Sequence, residues 1–398
     1  MRRVVITGAG TVNPLALDVA GTFAALGAGR GAIAPLDVRD VERLTVRIGA
    51  QVTGFDPEAH FAPGDLGGMD RFSQFAVVAA RQAVAESGLQ WGDLVETAGA
   101  IIGSAGGGLH TTDDSYRAVY QEGKSRVHPF VVPRLMLNAA AAQVARAFGL
   151  HGPTYAVSSA CSSSNHAIGQ AFHLIRGGAA TVMLAGGSDA MLCFGGIKAW
   201  EGLRVMSQTG CRPFSAGRDG MVMGEGAAVF VLEERDHALA RGARVLAEVA
   251  GFAMTADGGD MVQPSVQGAV RAMRRCLADA GMAAEEVGYV NAHGTGTAAN
   301  DRAECAALRA VFGPRVPPVS STKAMHGHLM GAAGAVELLA CLMALQTGIL
   351  APTINHVAGD PDCALDVLAN TARTGRVRAV ISNSFAFGGL NAVLALRA

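Results

Sequence analysis

Charge is scarce in this 398-residue chain and neither sign is in excess: Asp, Glu, Lys and Arg make up 16% of the residues and leave a formal net charge of −1. The basic and acidic residues are interspersed and form no basic stripe, so nucleic acid is not an expected partner. Cysteines at metal or redox spacing are also missing. The seven cysteines, at 161, 193, 211, 276, 305, 341 and 363, form no CxxC pair and no dense framework, and the odd count argues against a secreted disulfide fold. A reducing, cytoplasmic setting is expected. The opening MRRVVITGAG has only a short apolar run before glycine, which excludes a signal h-region. No 18-residue apolar stretch is apparent, so no transmembrane segment is expected.

What is present suits a large packed core. Half the residues are hydrophobic, and a chain of this length usually builds one large or two fused α/β domains. The runs VVIT, TVMLAGGSDA, AAVFVLEE, GYVNAHG and RAVISNS read as strands. They alternate with helical patterns over about 71–88, 138–148, 163–177, 266–281, 300–312 and 331–346. That alternation predicts a layered α/β architecture with mostly parallel sheets covered on both faces. The best boundary lies near 235–250, dividing the chain into 1–245 and 246–398. Glycines follow a short apolar strand in both parts, in IIGSAGGG and in AVISNSFAFGG, an echo that does not by itself establish duplication.

Chemistry-bearing residues gather in a few segments. The GAG at 8–10 does not continue as a dinucleotide fingerprint, because Asn13 and Pro14 follow. In YAVSSACSSSNHAIG a small-residue turn brings Cys161 to the start of an apolar helix, where free N–H groups and the helix dipole favour thiolate. The competing reading is one more small buried hydrophobe. GYVNAHGTGT puts His293 just past a strand, and STKAMHGHLMGAAG puts Lys323, His326 and His328 in a loop before a helix. An isolated HxH is poor evidence for a metal. Glu337 lies in AGAVELLACLMAL, a helix apolar nearly all round, and needs a partner there, with Lys323 a candidate.

These segments, in this order, resemble the β-ketoacyl-acyl-carrier-protein synthases of the elongating type, the ketosynthase II group of the thiolase-like superfamily. The resemblance runs from VVITGAG to FAFGGLNAVLAL, anchored by SACSSS, NAHGTGT, STKAMHGHLMGAAG and NSFAFGG. It implies two similar halves forming a five-layer αβαβα sandwich. It also implies a decarboxylative Claisen condensation that extends an acyl chain by two carbons, on substrates carried by the phosphopantetheine arm of acyl carrier protein and without a further cofactor. By resemblance, Cys161 carries the acyl chain, with the backbone N–H groups of Cys161 and Phe387 as oxyanion hole. His293 and His328 serve the malonyl thioester, and Lys323 tunes His328 with Glu337 in support. Thr295 and Thr297 hold the pantetheine arm, and Phe385 and Phe387 gate the acyl pocket. A structural monovalent cation is implied near Asn291, Ala292, Glu337, Ser382 and Asn383.

Departures from the family pattern concern the pocket. Gly106 and Val131 stand where larger side chains are common, and with Gly196 and Trp200 they are expected to shape the acyl pocket. Trp200 would refill part of the freed space. SSSNHAIG and IKAWEGLRVM look like the ketosynthases of nodulation-signal and polyunsaturated-acyl or polyene pathways, which points to a long, unsaturated or polyene chain. Lys124, Arg126, Arg134 and Arg204 are candidates for docking the acidic carrier protein. A homodimer is expected, or a heterodimer with a second ketosynthase-like subunit. The alternatives are a non-catalytic chain-length partner, which would lack the nucleophile; a housekeeping elongation enzyme; and a thiolase, which would use a second cysteine where this chain has His328.

Overall fold

Ten apolar runs form the central sheet. In chain order they are β1 (Val4–Val12), β2 (Gly99–Gly103), β3 (Tyr155–Val157), β4 (Val182–Asp189), β5 (Gly226–Glu234), β6 (Ala247–Ala256), β7 (Tyr289–Asn291), β8 (Val319–Ser320), β9 (Ala379–Ala386) and β10 (Leu390–Arg397). The computed structural model, which describes residues 1–358 and 360–398, orders them β8-β7-β9-β10-β6-β1-β5-β4-β2-β3. Outward from the β1–β6 contact, each set of five runs first, fifth, fourth, second, third. The two sets therefore repeat one topology, but the glycine-rich strand ends that echo each other in the sequence, after β2 and after β9, are the second strand of one set and the fourth of the other and are not equivalent places in it.

Both faces of the strands are buried. Along β5, Ala227, Val229 and Val231 point to one side and Ala228, Phe230 and Leu232 to the other, as the period of two requires. The first side is covered by α1 (Arg71–Ser87) and α2 (Ala139–Phe148). The second packs on α3 (Ser163–Arg176) and α7 (Ala333–Thr347), which also receive Ala392, Leu394 and Leu396 from β10. The outer side of the second strand set is covered by α5 (Val266–Ala280) and α6 (Ala298–Phe312), and α4 (Phe194–Gly202) packs through Ile197 in a separate small cluster with Leu36, Leu44, Met191 and Met330. Helices, strands, central helices, strands and helices make five layers, αβαβα.

Two expectations need correction. The sheet is mixed: four of its nine pairings are parallel and five are antiparallel. In each set the fifth strand turns back between the fourth and the first, a reversal that strand–helix alternation does not reveal. The 18-residue stretch Met330–Thr347 has a mean hydropathy of 1.5, long and apolar enough to cross a membrane. Its glycines and Glu337 concealed it in the sequence. It is apolar all round because α7 lies between two strand layers, with 83% of that stretch buried.

The mutually parallel strands β2, β3 and β4 of one set and β7, β8 and β9 of the other deliver their carboxyl ends to the same region, the usual place for an α/β site. There β9 turns into β10 through Phe387, Gly388 and Gly389. Both glycines have positive φ, +81° and +68°, and a Cβ on Gly389 would stand 2.6 Å from Cβ of Asp257. Only glycine fits that turn, which holds Phe387 over the strand ends.

Candidate active site

The SACSSS motif builds the turn that presents Cys161. Ser162 Oγ donates to the carbonyl of Ser159 (2.8 Å), Ser163 Oγ donates to the carbonyl of Ala160 (2.6 Å), and Ser159 N–H donates to Ser163 Oγ (2.9 Å). These bonds hold Ala160 at φ +50°, a costly conformation for a residue with a Cβ. Gly103 at the end of β2 lets this turn approach, since a Cβ there would lie 2.4 Å from the backbone of Ser163. Cys161 follows the turn, buried, just before α3. The helix start predicts a thiolate, but burial dominates. It pushes the Cys161 thiol up to about 12, with the nearby charge of Lys323 pulling the other way.

The other three residues come from the second strand set. His293 follows β7, and Lys323 and His328 lie in the loop after β8. A ring nitrogen of each histidine and Cys161 Sγ all lie within 4.8 Å of one another. His328 Nδ1 accepts a hydrogen bond from Met330 N–H (3.1 Å), which leaves its proton on Nε2. That Nε2 is buried with no partner among the described residues. Lys323 Nζ stands 3.4 Å from His293 Nδ1 and donates to the His293 carbonyl (2.6 Å), so His293 also carries its proton on Nε2. Burial and the charge of Lys323 hold both rings well below their ordinary value of 6.5, with His328 adding to the effect on His293 and His326 to that on His328, and both are neutral. With both lone pairs engaged at Nδ1, the Nε2–H groups are donors rather than metal ligands.

Lys323 is fully buried and paired with Glu337, whose carboxyl is pushed up by burial and pulled back by the lysine. His326 is turned into its own loop, with Nδ1 against the Gly327 carbonyl (2.8 Å) and Nε2 against Thr322 Oγ1 (2.9 Å). It is therefore not available as half of an HxH metal pair. Two carboxylates escaped the sequence reading. Glu304 accepts from the N–H groups of His293 (2.9 Å) and Gly294 (2.8 Å) and from Asn383 (3.1 Å), and burial pushes it up to about 7. Asp189, at the end of β4, binds Gly331 three residues past His328. The only signal for Glu304 was its place on the inward face of α6 beside Cys305 and Leu308.

Cys161, His293 and His328 open on a cavity of about 170 Å³ whose walls include Thr295, Thr297, Phe385, Phe387, Trp200 and Met261. Thr295 and Thr297 share a hydroxyl contact of 2.9 Å, and Trp200 stacks on Phe387 with ring centroids 5.9 Å apart. Gly106, Val131 and Gly196 do not line this cavity. A Cβ on Gly106 would stand 2.7 Å from Met191 Cγ and Sδ, so Met191 already fills the space that glycine frees. Val131 lines a separate groove with Lys124, Arg126 and Arg134, whereas Arg204 adjoins Val205 on the cavity wall. Asn291 Oδ1, Ser382 Oγ, Asn383 Oδ1 and Glu337 Oε2 are buried oxygens with no hydrogen-bond partner among the described residues. This donor set fits a cation bound by oxygen, with the carbonyl of Ala292 a further donor close by in sequence.

A thiol facing two imidazole N–H donors at the strand ends of a duplicated αβαβα frame defines a thiolase-like condensing enzyme. Comparison with known proteins narrows the class. The descriptions "Beta-ketoacyl synthase, N-terminal domain" and "Beta-ketoacyl synthase, C-terminal domain" match residues 1–238 and 246–357. Nodulation protein E of Rhizobium sp. (strain N33) is 48% identical over 399 residues, covering 100% of this chain and 99% of that protein. The 3-oxoacyl-[acyl-carrier-protein] synthase 2 of Staphylococcus aureus (strain N315) is 38% identical over 406 residues, covering 100% and 98%. Among solved structures, the ishigamide ketosynthase/chain length factor superposes with a TM-score of 0.96 at 37% identity, covering 100% and 99%. The chain belongs to the β-ketoacyl synthase family, and it is an acyltransferase of the ketosynthase II type that makes β-ketoacyl products in fatty acid or polyketide pathways.

Proposed function

We propose that the three converging groups divide the reaction between them. Cys161 attacks the thioester of an acyl carrier protein, and its proton leaves with the departing pantetheine sulfur. The backbone N–H groups of Cys161 and Phe387 receive the oxyanion. Malonyl carrier protein enters next, its arm held by Thr295 and Thr297. The Nε2–H groups of His293 and His328 donate to the malonyl thioester oxygen, so the electron pair released with carbon dioxide is held as an enolate. The enolate carbon bonds to the acyl carbonyl carbon, and the Cys161 sulfur is expelled as a thiolate that takes a proton from water to restore the thiol. Lys323 keeps both imidazoles neutral and orients His293, while Glu337 holds the lysine in place. The observation that carries this reading is the convergence of Cys161 Sγ and the two imidazoles within 4.8 Å.

The reading extends to partners and substrate. An acyl carrier protein delivers both substrates, with no further cofactor in the chemistry. Lys124, Arg126, Arg134 and Arg204 form the docking surface, of which Arg204 adjoins the cavity wall. The exposed side chains of Tyr116, Tyr120, Phe130 and Val132 support a second subunit, either a copy of this chain or a ketosynthase-like partner. The intact Cys161 argues that this chain is the condensing member of such a pair. Division at 245/246 is supported by the repeated strand order, and a cytoplasmic setting by seven unpaired thiols. The likeness of SSSNHAIG and IKAWEGLRVM to ketosynthases of nodulation-signal and polyene pathways supports a specialised long, unsaturated or polyene acyl chain, and nodulation protein E stands among the relatives. The Met191 side chain in front of Gly106 favours the second reading, an ordinary chain length.

Intact-mass spectrometry after incubation with saturated and polyunsaturated acyl carrier proteins, then malonyl carrier protein, tests the reading. One acyl adduct on Cys161 and a product two carbons longer are expected. If no donor in the panel acylates the protein, the reading fails.

A further inference from the structure

Asp189 is fully buried yet lies outside the cavity, so it touches no reacting atom. Its two oxygens accept four hydrogen bonds: from Ser104 Oγ (2.7 Å), Ala105 N–H (2.9 Å), Gly106 N–H (3.0 Å) and Gly331 N–H (2.6 Å). A carboxylate is the one side chain that accepts this many bonds and donates none. Burial pushes its carboxyl up to about 6 against these donors, and near neutral pH it remains the acceptor they require.

The bond to Gly331 matters because of the residue before it. Met330 has φ +50°, a conformation that a long unbranched side chain occupies only when its surroundings enforce it. On one side Met330 N–H donates to His328 Nδ1 (3.1 Å), and on the other Gly331 N–H is held by Asp189. Gly331 itself is confined, since a Cβ there would meet Ala105 N at 2.4 Å and Asp189 Oδ2 at 2.6 Å. Release of Gly331 would let Met330 relax to negative φ and swing its N–H off the His328 ring. The imidazole could then exchange its Nε2–H tautomer for the Nδ1–H form, which offers the cavity a lone pair in place of a donor.

We infer that Asp189 is a positioning residue for decarboxylation and condensation: by clamping Gly331 it holds Met330 left-handed, and through Met330 N–H it fixes His328 as the Nε2–H donor. The inference rests on the role given to His328 above and adds a residue 139 positions away in the chain, on the opposite strand set. The same carboxylate fixes the 104–106 turn, so it ties the strand ends of both sets together.

The test resolves the two half-reactions in wild type, Asp189→Asn, Met330→Gly and the double variant. Asparagine presents an NH₂ to groups that are themselves donors. In D189N, condensation should fall by about 100-fold, the loss typical of one misaimed oxyanion donor. Acylation of Cys161 should proceed as in wild type, and the ¹⁵N spectrum of the His328 ring should lose its pure Nε2–H signature. Glycine adopts positive φ freely, so D189N should cost far less in the Met330→Gly background. If D189N does not fold, Asp189→Ser, which keeps one acceptor oxygen, takes its place in the same cycle. Wild-type condensation in D189N, a parallel loss of acylation and condensation, or an equal loss in both backgrounds would each overturn the inference. A wild type that never condenses would sink the assignment of His328 as well, whereas a condensing wild type matched by D189N sinks this inference alone.

Discussion

The turn 158–162 after β3 and the loop 321–332 after β8 occupy equivalent places in the two strand sets, and each leads into a helix of the central layer, α3 or α7. Each contains a non-glycine residue at φ +50°, Ala160 in one and Met330 in the other. Their contents differ. The short turn is tied up by serines and presents a single thiol, whereas the longer loop has room for a buried ammonium and an imidazole whose tautomer is set by its own backbone. A repeated scaffold thus brings two strained turns face to face, and loop length decides which becomes nucleophile and which donor. The comparison also separates the supports: the thiol turn is held by its own hydroxyls, the imidazole loop by carboxylates reaching from elsewhere.

That contrast breaks most visibly at the ion pair, which only the second loop has. Lys323→Met leaves the buried Glu337 unpaired and should destabilise the protein by about 3–5 kcal/mol in urea denaturation. The double variant Lys323→Met, Glu337→Leu should recover most of that stability and none of the condensation. A single variant as stable as wild type would show that the pair is not what holds the loop. A smaller effect is expected beside the first turn. If Met191 limits the acyl pocket at Gly106, Met191→Ala should shift preference to a longer carrier-bound chain by about tenfold, the value of a methylene or so in an apolar pocket. An unchanged panel by intact mass would remove Gly106 from the list of specificity residues.

The smallest effect expected is no change. Burial and Lys323 depress both imidazoles, so the folded protein does not take up protons on them as pH falls through 6.5. The unfolded chain does, and these two groups therefore withdraw stability as pH drops below that value. Neither His293 nor His328 should show the ¹⁵N shifts of a protonated ring at any pH from above 7 to below 6. Titration of either near 6.5 would contradict the neutral-donor assignment.

Much of the site was legible because each piece is local. SACSSS encodes its own turn, and NAHGTGT and STKAMHGH place His293, Lys323 and His328 directly after short strands. Supports that reach across the chain were not legible. Glu304 caps backbone N–H groups 10 and 11 residues earlier, and Asp189 binds one 142 residues later; neither leaves a periodicity in the sequence. Gly106 was read as lost bulk, but bulk in a core belongs to neighbourhoods, and Met191 supplies it from another loop. The layered α/β architecture followed from the alternation of strands and helices. The antiparallel return of β5 and β10 did not, since it depends on where a strand inserts rather than on its composition.

The claim that the two turns carry separable chemistry is tested most directly by measuring carbon dioxide release from malonyl carrier protein by Cys161→Ala. This variant, unable to be acylated, should still decarboxylate malonyl at a rate abolished by adding His328→Ala. Loss of decarboxylation in Cys161→Ala alone would contradict it.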